Sequence, residues 1–301
     1  MRWRRLGLVF EPDGSEPWLH SHAANPVAVA LDGPVFRVYF ASRDAGNRSH
    51  VAAVDVDVDA RAVVRGPWLV LAPGPLGHFD DHGVYASSVV DLGAGQWRMY
   101  TTGWNPGLKP PLFYTAAGVA ESEDNGVTFE RRAAPILQRS EVDPWMVSQP
   151  SVRFDDGAWR MWYISGIGWD EVDGGLTSSY HLKYAESDDG LSWRRDGQVA
   201  IELADGERNI ARGCILRSAG GYEMWYSRSA GGGYSLGYAR SADGVEWARL
   251  DQEAGLDPAP GEWDDAIAYP WVVEHGAMRY LFYNGGGFGR AGLGLAVEEP
   301  A

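Results

Sequence analysis

Acidic residues gather a few positions ahead of strand-like apolar runs in this chain: Asp80 and Asp81, Glu141 and Asp143, Glu207, then Glu262, Asp264 and Asp265. Two carboxylates held in one cavity can divide proton work. One protonates a leaving oxygen while the other activates water or attacks directly, which is the chemistry of glycosidic bonds. Asp81 and Asp143 are the first acid and base pair on this reading, with Glu207 and Asp265 next. Arg43, Arg48 and Arg212 could bind hydroxyl or anionic groups, Trp104, Trp169 and Tyr269 could stack on the apolar face of a ring, and His22 and Asn284 could add hydrogen bonds. An acid before a strand also caps turns, which is the competing role for each carboxylate taken singly. His20 and His22 fall on one side of an extended segment and, with Asp81, mark the one place where the sequence allows a bound cation. Nothing else calls for a cofactor.

These groups converge only if the chain repeats, and it does. A strand ending in aromatics and small residues occurs as Arg37-Val38-Tyr39-Phe40, Arg98-Met99-Tyr100-Thr101, Arg160-Met161-Trp162-Tyr163, Glu223-Met224-Trp225-Tyr226 and Tyr280-Leu281-Phe282-Tyr283. The copies lie roughly 60 residues apart, too long for common solenoid repeats. An apolar strand precedes each copy, as in Val147 to Phe154, so the two form a hairpin. A third strand ends in Ser187-Asp188-Asp189-Gly190 and Ser241-Ala242-Asp243-Gly244, with the longer variant Ser122-Glu123-Asp124-Asn125-Gly126. Gly supplies the positive φ of a tight turn, and the aromatic that follows anchors an outer strand.

Four antiparallel strands per unit, repeated around an axis, predict an all-β, five-bladed β-propeller filling residues 1–301 as a single domain. The fifth unit stops after its third strand, so the N-terminal strand Arg4 to Phe10 is expected to complete it and close the ring. Alternating strand directions put the approach loops and the second-to-third-strand loops on one face, where the candidate residues collect. Asp124, Asp189 and Asp243 fall on the opposite face and read as turn residues, while Trp162 and Trp225 read as core between units.

The net charge of −15 repels polyphosphates and argues against nucleic acid. Cys214 is the single cysteine, which excludes an intrachain disulfide and thiolate zinc sites. The apolar stretch after the basic start is broken by Gly7 and stopped by Glu11 and Pro12, and no later segment is long and apolar enough for a membrane helix. A cytoplasmic protein with a small-molecule carbohydrate partner, without nucleic acid or membrane, is the expectation. No feature sets an oligomeric state.

With its five repeats, its Ser-x-Asp-Gly-x-x-Trp turns at Ser187 and Ser241 and its acids ahead of the innermost strands, the whole chain resembles the five-bladed glycosidase-like propellers of glycoside hydrolase families 32, 43, 68 and 130. The segment from Trp3 to His22 also resembles glycosidase-like proteins of bacterial surface-polysaccharide synthesis. The resemblance implies a base, a tuning aspartate and a proton donor ahead of the first three blades. By position it supplies Asp81 in blade two and Glu141 or Asp143 in blade three. Blade one departs from the pattern, reading His20-Ser21-His22-Ala23-Ala24-Asn25-Pro26 with no carboxylate before Asp32. That departure supports a sugar-binding or scaffold protein as the alternative to hydrolysis or glycosyl transfer, and the fold also allows a non-glycosidic biosynthetic enzyme that reuses the funnel.

Overall fold

The computed structural model describes residues 1–172, 174–230 and 232–300. Its strands fall into five groups of four. The first holds β2 (Ser21–Ala30), β3 (Val35–Arg43), β4 (Ser49–Asp57) and β5 (Ala62–Leu71), and the second β6 (Gly83–Gly93), β7 (Gln96–Pro106), β8 (Phe113–Ser122) and β9 (Glu130–Arg131). The third holds β10 (Val147–Asp155), β11 (Ala158–Val172), β12 (Gly175–Ser187) and β13 (Val199–Ile201), and the fourth β14 (Asn209–Ser218), β15 (Gly221–Ser229), β16 (Ser235–Ser241) and β17 (Ala248–Arg249). The fifth joins β18 (Ala268–His275), β19 (Met278–Asn284) and β20 (Leu293–Glu298) to β1 (Trp3–Phe10). The N-terminal strand pairs antiparallel with β20 from Trp3↔Glu298 to Phe10↔Leu293, as the missing fourth strand required.

Single parallel bridges, Ser49↔Gly83 and Tyr180↔Asn209, tie units one to two and three to four, so hydrogen bonding yields three sheets and no single closed one. Side-chain packing goes further. The innermost strands touch in the cycle β2, β6, β10, β14, β18 and back to β2. The described apolar core divides into five clusters, each between consecutive units, and that of Phe36, Phe40, Phe282 and Leu295 joins the last to the first. Each twisted sheet is too small to bury its own faces, so stacking on its neighbours supplies the core.

The Ser-Asp-Gly turns stitch these interfaces. In unit three the Asp189 carboxylate accepts from Leu191 N, Ser192 N and Ser187 Oγ, which holds the turn rigid. The aromatic of the preceding unit's second strand then donates to the turn glycine: Tyr39 to Gly126 O at 2.6 Å, Tyr100 to Gly190 O at 2.9 Å and Trp162 Nε1 to Gly244 O at 2.8 Å. The arginine that opens the repeated strand adds a second bond, Arg37 to Asn125 O, Arg98 to Asp189 O and Arg160 to Asp243 O. The fourth copy has Glu223 instead, facing a fifth unit that lacks the turn, and Glu223 pairs with Arg279 at 2.8 Å. Cys214 is buried and bonds to Val272, and burial pushes its thiol up to about 11.

Candidate functional site

Every innermost strand breaks register at the same place. The unpaired residues are Asn25-Pro26, Ser87, Gln149-Pro150, Arg212-Gly213 and Tyr269-Pro270. Four of them adopt left-handed backbone, with φ of 53° at Asn25, 47° at Gln149, 30° at Arg212 and 54° at Tyr269. This conformation is costly for a residue with a Cβ and persists only where its surroundings hold it. Three of the four are held by a side chain from the preceding unit's second strand: Asn25 N by Asn284 Oδ1 (2.8 Å), Gln149 N by Thr102 Oγ1 (2.8 Å) and Tyr269 N by Ser227 Oγ (2.7 Å). The bulges send side chains across the axis, for Gln149 Nε2 donates to Asn25 Oδ1 at 2.8 Å and Arg212 Nη2 donates to the carbonyl of Pro26, both between non-neighbouring units.

Around this floor stand Tyr85, Tyr180, Tyr234 and Tyr269. Tyr180 and Tyr234 share a hydrogen bond, Tyr234 lies 5.9 Å from Tyr269 between ring centroids, and Tyr85 bonds to Ser148 Oγ at 3.0 Å. Burial raises all four hydroxyls, Tyr180 to about 12, so near neutrality they are uncharged groups able to donate and accept. Tyr85 and Tyr269 are in electrostatic reach of both Arg43 and Arg212. His22 lies beside Arg43 and Arg290, and burial followed by those two cations lowers its imidazole to about 4. Among the described residues no Asp or Glu bonds to any of these tyrosines, to His22, Asn25, Gln149, Arg43 or Arg212.

The carboxylates lie elsewhere, and two of the four expected catalytic groups are held in ion pairs. Asp143 is fully buried, with Oδ1 accepting from Ser165 Oγ (2.7 Å) and Lys183 Nζ (3.2 Å) and Oδ2 from Arg195 Nη1 (2.6 Å) and Tyr163 Oη (3.1 Å). Glu207 is clasped by both Nη atoms of Arg249 at 2.8 Å and approached by Arg228 at 3.3 Å. Burial raises its carboxyl, but the Arg249 bonds and charge bring the net value below the usual range. The same construction recurs as Asp80 with Arg131 and Asp264 with Arg5. In four units, therefore, an approach-loop acid is locked to an arginine on or next to the unit's outermost strand. Unit one has no such acid among its described approach residues, and its Phe40 packs on Phe10 of unit five's strand β1 at 5.0 Å. Its missing acid is thus a missing clamp.

Asp81 is partly exposed but occupied, accepting from Gly77 N (2.8 Å) and Asn105 Nδ2 (2.5 Å), so it caps its own loop. Asp265 is exposed beside Gly286 and has no side-chain partner among the described residues, which leaves it the one free carboxylate of the four. Arg43, Arg212, Tyr269 and His22 reach the centre. Trp104 stands at its edge, 6.0 Å from the Arg43 guanidinium and 4.5 Å from His82. Three expected contacts do not reach it. Trp169 packs on Phe113 at 5.3 Å along the long β11–β12 hairpin, and Arg48 pairs with Asp44 at 2.9 Å. Asn284 is fully buried and spends its amide on Asn25 N, Ala23 O and Gly292 O. His20 is exposed, His22 faces cations, and no group of three His, Cys, Asp or Glu side chains able to hold a metal occurs among the described residues. A shallow cleft of about 370 Å³ near Phe79, Asn105, Tyr114 and Arg139 lies off the axis and shares no residue with the central cluster.

No protein-family profile matches the chain. It is 41% identical over 99% of its length, and 100% of the relative's, to uncharacterized protein MT1551 of Mycobacterium tuberculosis (strain CDC 1551 / Oshkosh). Uncharacterized protein Rv1502 of the H37Rv strain is 40% identical over the same shares. The chain belongs to their family. Among solved structures it is similar to a glycoside hydrolase (TM-score 0.76, 17% identity, 99% of this chain and 92% of that one). It is also similar to a thermostable family-43 glycoside hydrolase (0.67, 15%, 92% and 88%) and to a structure reported with the GH130 family of mannoside phosphorylases (0.69, 16%, 97% and 91%). The chain thus shares its fold with these glycoside hydrolase structures.

Sequence reasoning passed over Asn25, Ser87, Gln149, Tyr85, Tyr180 and Tyr234. A signal was present for some: Asn25-Pro26, Gln149-Pro150 and Tyr269-Pro270 put proline at one position of three innermost strands, where it cannot donate to a ladder and so marks a bulge.

Proposed function

We propose that the five units are the blades of one propeller whose central funnel binds a carbohydrate, and that the reaction it serves is glycosyl transfer from an activated sugar. The observation that carries this reading is the composition of the axis: tyrosine hydroxyls, two amides and arginines from all five units, with four of the approach-loop carboxylates, Asp80, Asp143, Glu207 and Asp264, held in arginine clamps. Sugar hydroxyls need neutral donors and acceptors in equal measure, and tyrosine rings add apolar faces. Hydrolysis through paired carboxylates needs two free acids in the funnel. An activated sugar needs less, because its leaving group departs as an anion that fixed cations can stabilise without a proton donor. A cytoplasmic location suits such a substrate. Binding without turnover is the second reading, favoured by the same shortage of free acids.

Thermal-shift and product-release assays over neutral sugars, sugar phosphates and nitrophenyl glycosides test this. Stabilisation by at least one sugar class, lost in Tyr269→Ala, with nitrophenyl glycosides left intact, is the expected result. Hydrolysis that disappears in Asp81→Asn or Asp265→Asn would overturn the transfer reading, and binding indifferent to Tyr269→Ala would move the site. Release of product from an activated donor separates transfer from binding alone.

A further inference from the structure

Among the described residues, two arginines at the axis have no carboxylate partner. Arg212 is fully buried over the Trp271 ring at 4.7 Å, and although its Nη2 reaches Pro26 O, its Nε and Nη1 have no hydrogen-bond partner. Arg43 bonds only to the neutral Asn47 Oδ1, at 2.6 Å. Burial disfavours the charged form of both, bringing Arg212 down to about 10. A buried cation without a counter-charge is costly, and this chain, at −15, has acids in excess with which to pair it. Elsewhere its buried carboxylates are matched to arginine repeatedly: Asp55 with Arg37, Asp80 with Arg131, Asp143 with Arg195 and Asp264 with Arg5. Among the described residues Arg160 also lacks an ion pair, but it lies at a turn away from the axis and donates to Asp243 O, whereas Arg212, at the axis, is fully enclosed with two nitrogens unpartnered. Gln149 Oε1, also buried there, lacks a donor that a sugar hydroxyl could supply.

We infer that the funnel centre is an oxyanion site that takes a phosphoryl or carboxylate group carried by the sugar, contacted by Arg43, His22 and the Tyr85 and Tyr269 hydroxyls, with Arg212 as a buried fixed charge. The inference rests on the carbohydrate reading above and names its substrate class. Fixed cations and neutral donors in a cavity attract an anion more strongly than they do in water. The groups facing His22 are Ser21, whose Oγ is 2.9 Å from Nδ1, and the cations Arg43 and Arg290. A bound anion offsets those cations and raises the imidazole while burial still holds it below its ordinary value, so binding takes up a proton and tightens as pH falls toward 4.

Calorimetric titration at low salt with glucose, glucose 1-phosphate, glucuronate and inorganic phosphate tests the inference on the intact chain and on Arg43→Gln. An anionic sugar is expected to bind at least tenfold more tightly than glucose, and Arg43→Gln to remove that advantage while leaving the melting temperature unchanged. Glucose 1-phosphate above glucuronate assigns a phosphate ester, and the reverse order a uronate; either supports the site. Glucose bound as well as both anions, with no effect of Arg43→Gln, overturns the oxyanion inference and leaves the carbohydrate reading standing. Arg43-dependent binding of inorganic phosphate that no sugar moiety improves does the opposite. Binding of none of the four overturns both. Arg43 lies at the edge of the core, so the test does not depend on the buried Arg212 tolerating change.

Discussion

Asp143 holds two cations, Lys183 and Arg195, and its other bonds come from Tyr163 and Ser165. Asp143→Asn keeps the shape but leaves both cations buried against a neutral amide. A loss of about 3 kcal/mol in unfolding free energy is expected, with ligand affinity per folded molecule preserved. Urea denaturation beside calorimetric titration checks it; intact stability with lost affinity would return Asp143 to the funnel. The acids ahead of the innermost strands were legible as a set, but their duty was not. Their partners lie 52 residues away for Arg195, 42 for Arg249 and 259 for Arg5, and no spacing pattern announces such pairs. The positions of Arg43, Arg212 and Tyr269 near the axis follow from where the strand ends fall in each repeat. The left-handed φ values that aim Asn25 and Gln149 inward come from tertiary contacts and were not legible.

At the level of single elements, β1 does more than cover an edge. It buries Trp3, whose indole donates to Ala254 O at 3.0 Å, and it brings Arg5 to Asp264 at 2.6 Å. Deleting residues 1–10 exposes the β20 edge and several apolar side chains, and the melting temperature is expected to fall by roughly 10 °C or more. An unchanged thermal scan would refute the closing role. The turn carboxylates predict a pH effect. Slight burial raises Asp124, but bonds from Thr128 N, Thr128 Oγ1, Ser122 Oγ and Val127 N outweigh it and lower the carboxyl from 3.8 to about 2. Its ionised form is favoured by folding, so the stabilisation is complete above about pH 4 and is lost as pH falls toward 2. Melting curves between pH 5 and 2 should show a shallower acid decline for Asp124→Asn than for the native chain; parallel curves would contradict this. The turns were legible in the sequence because Ser, Asp and Gly act within a few residues of one another.

For the molecule as a whole, contacts between units decide both stability and site. The repeat and the absent fourth strand made the all-β repeated architecture and the N-terminal strand's pairing with β20 legible, since both are matters of counting along the chain. Side-chain bonds across the axis, such as Gln149 to Asn25, exist only once the units stand in a ring and leave no local trace. The central claim is that ligand binds at this axis and not between the approach-loop acids. A crystal structure with a bound sugar phosphate tests it most directly. The account predicts the anionic group within hydrogen-bond distance of Arg43 and a tyrosine hydroxyl of Tyr85 or Tyr269, with Asp143 still enclosed by Lys183 and Arg195. A sugar phosphate held instead by Asp81 and Asp265, or lodged in the cleft beside Phe79 and Tyr114 with the axis empty, would contradict it.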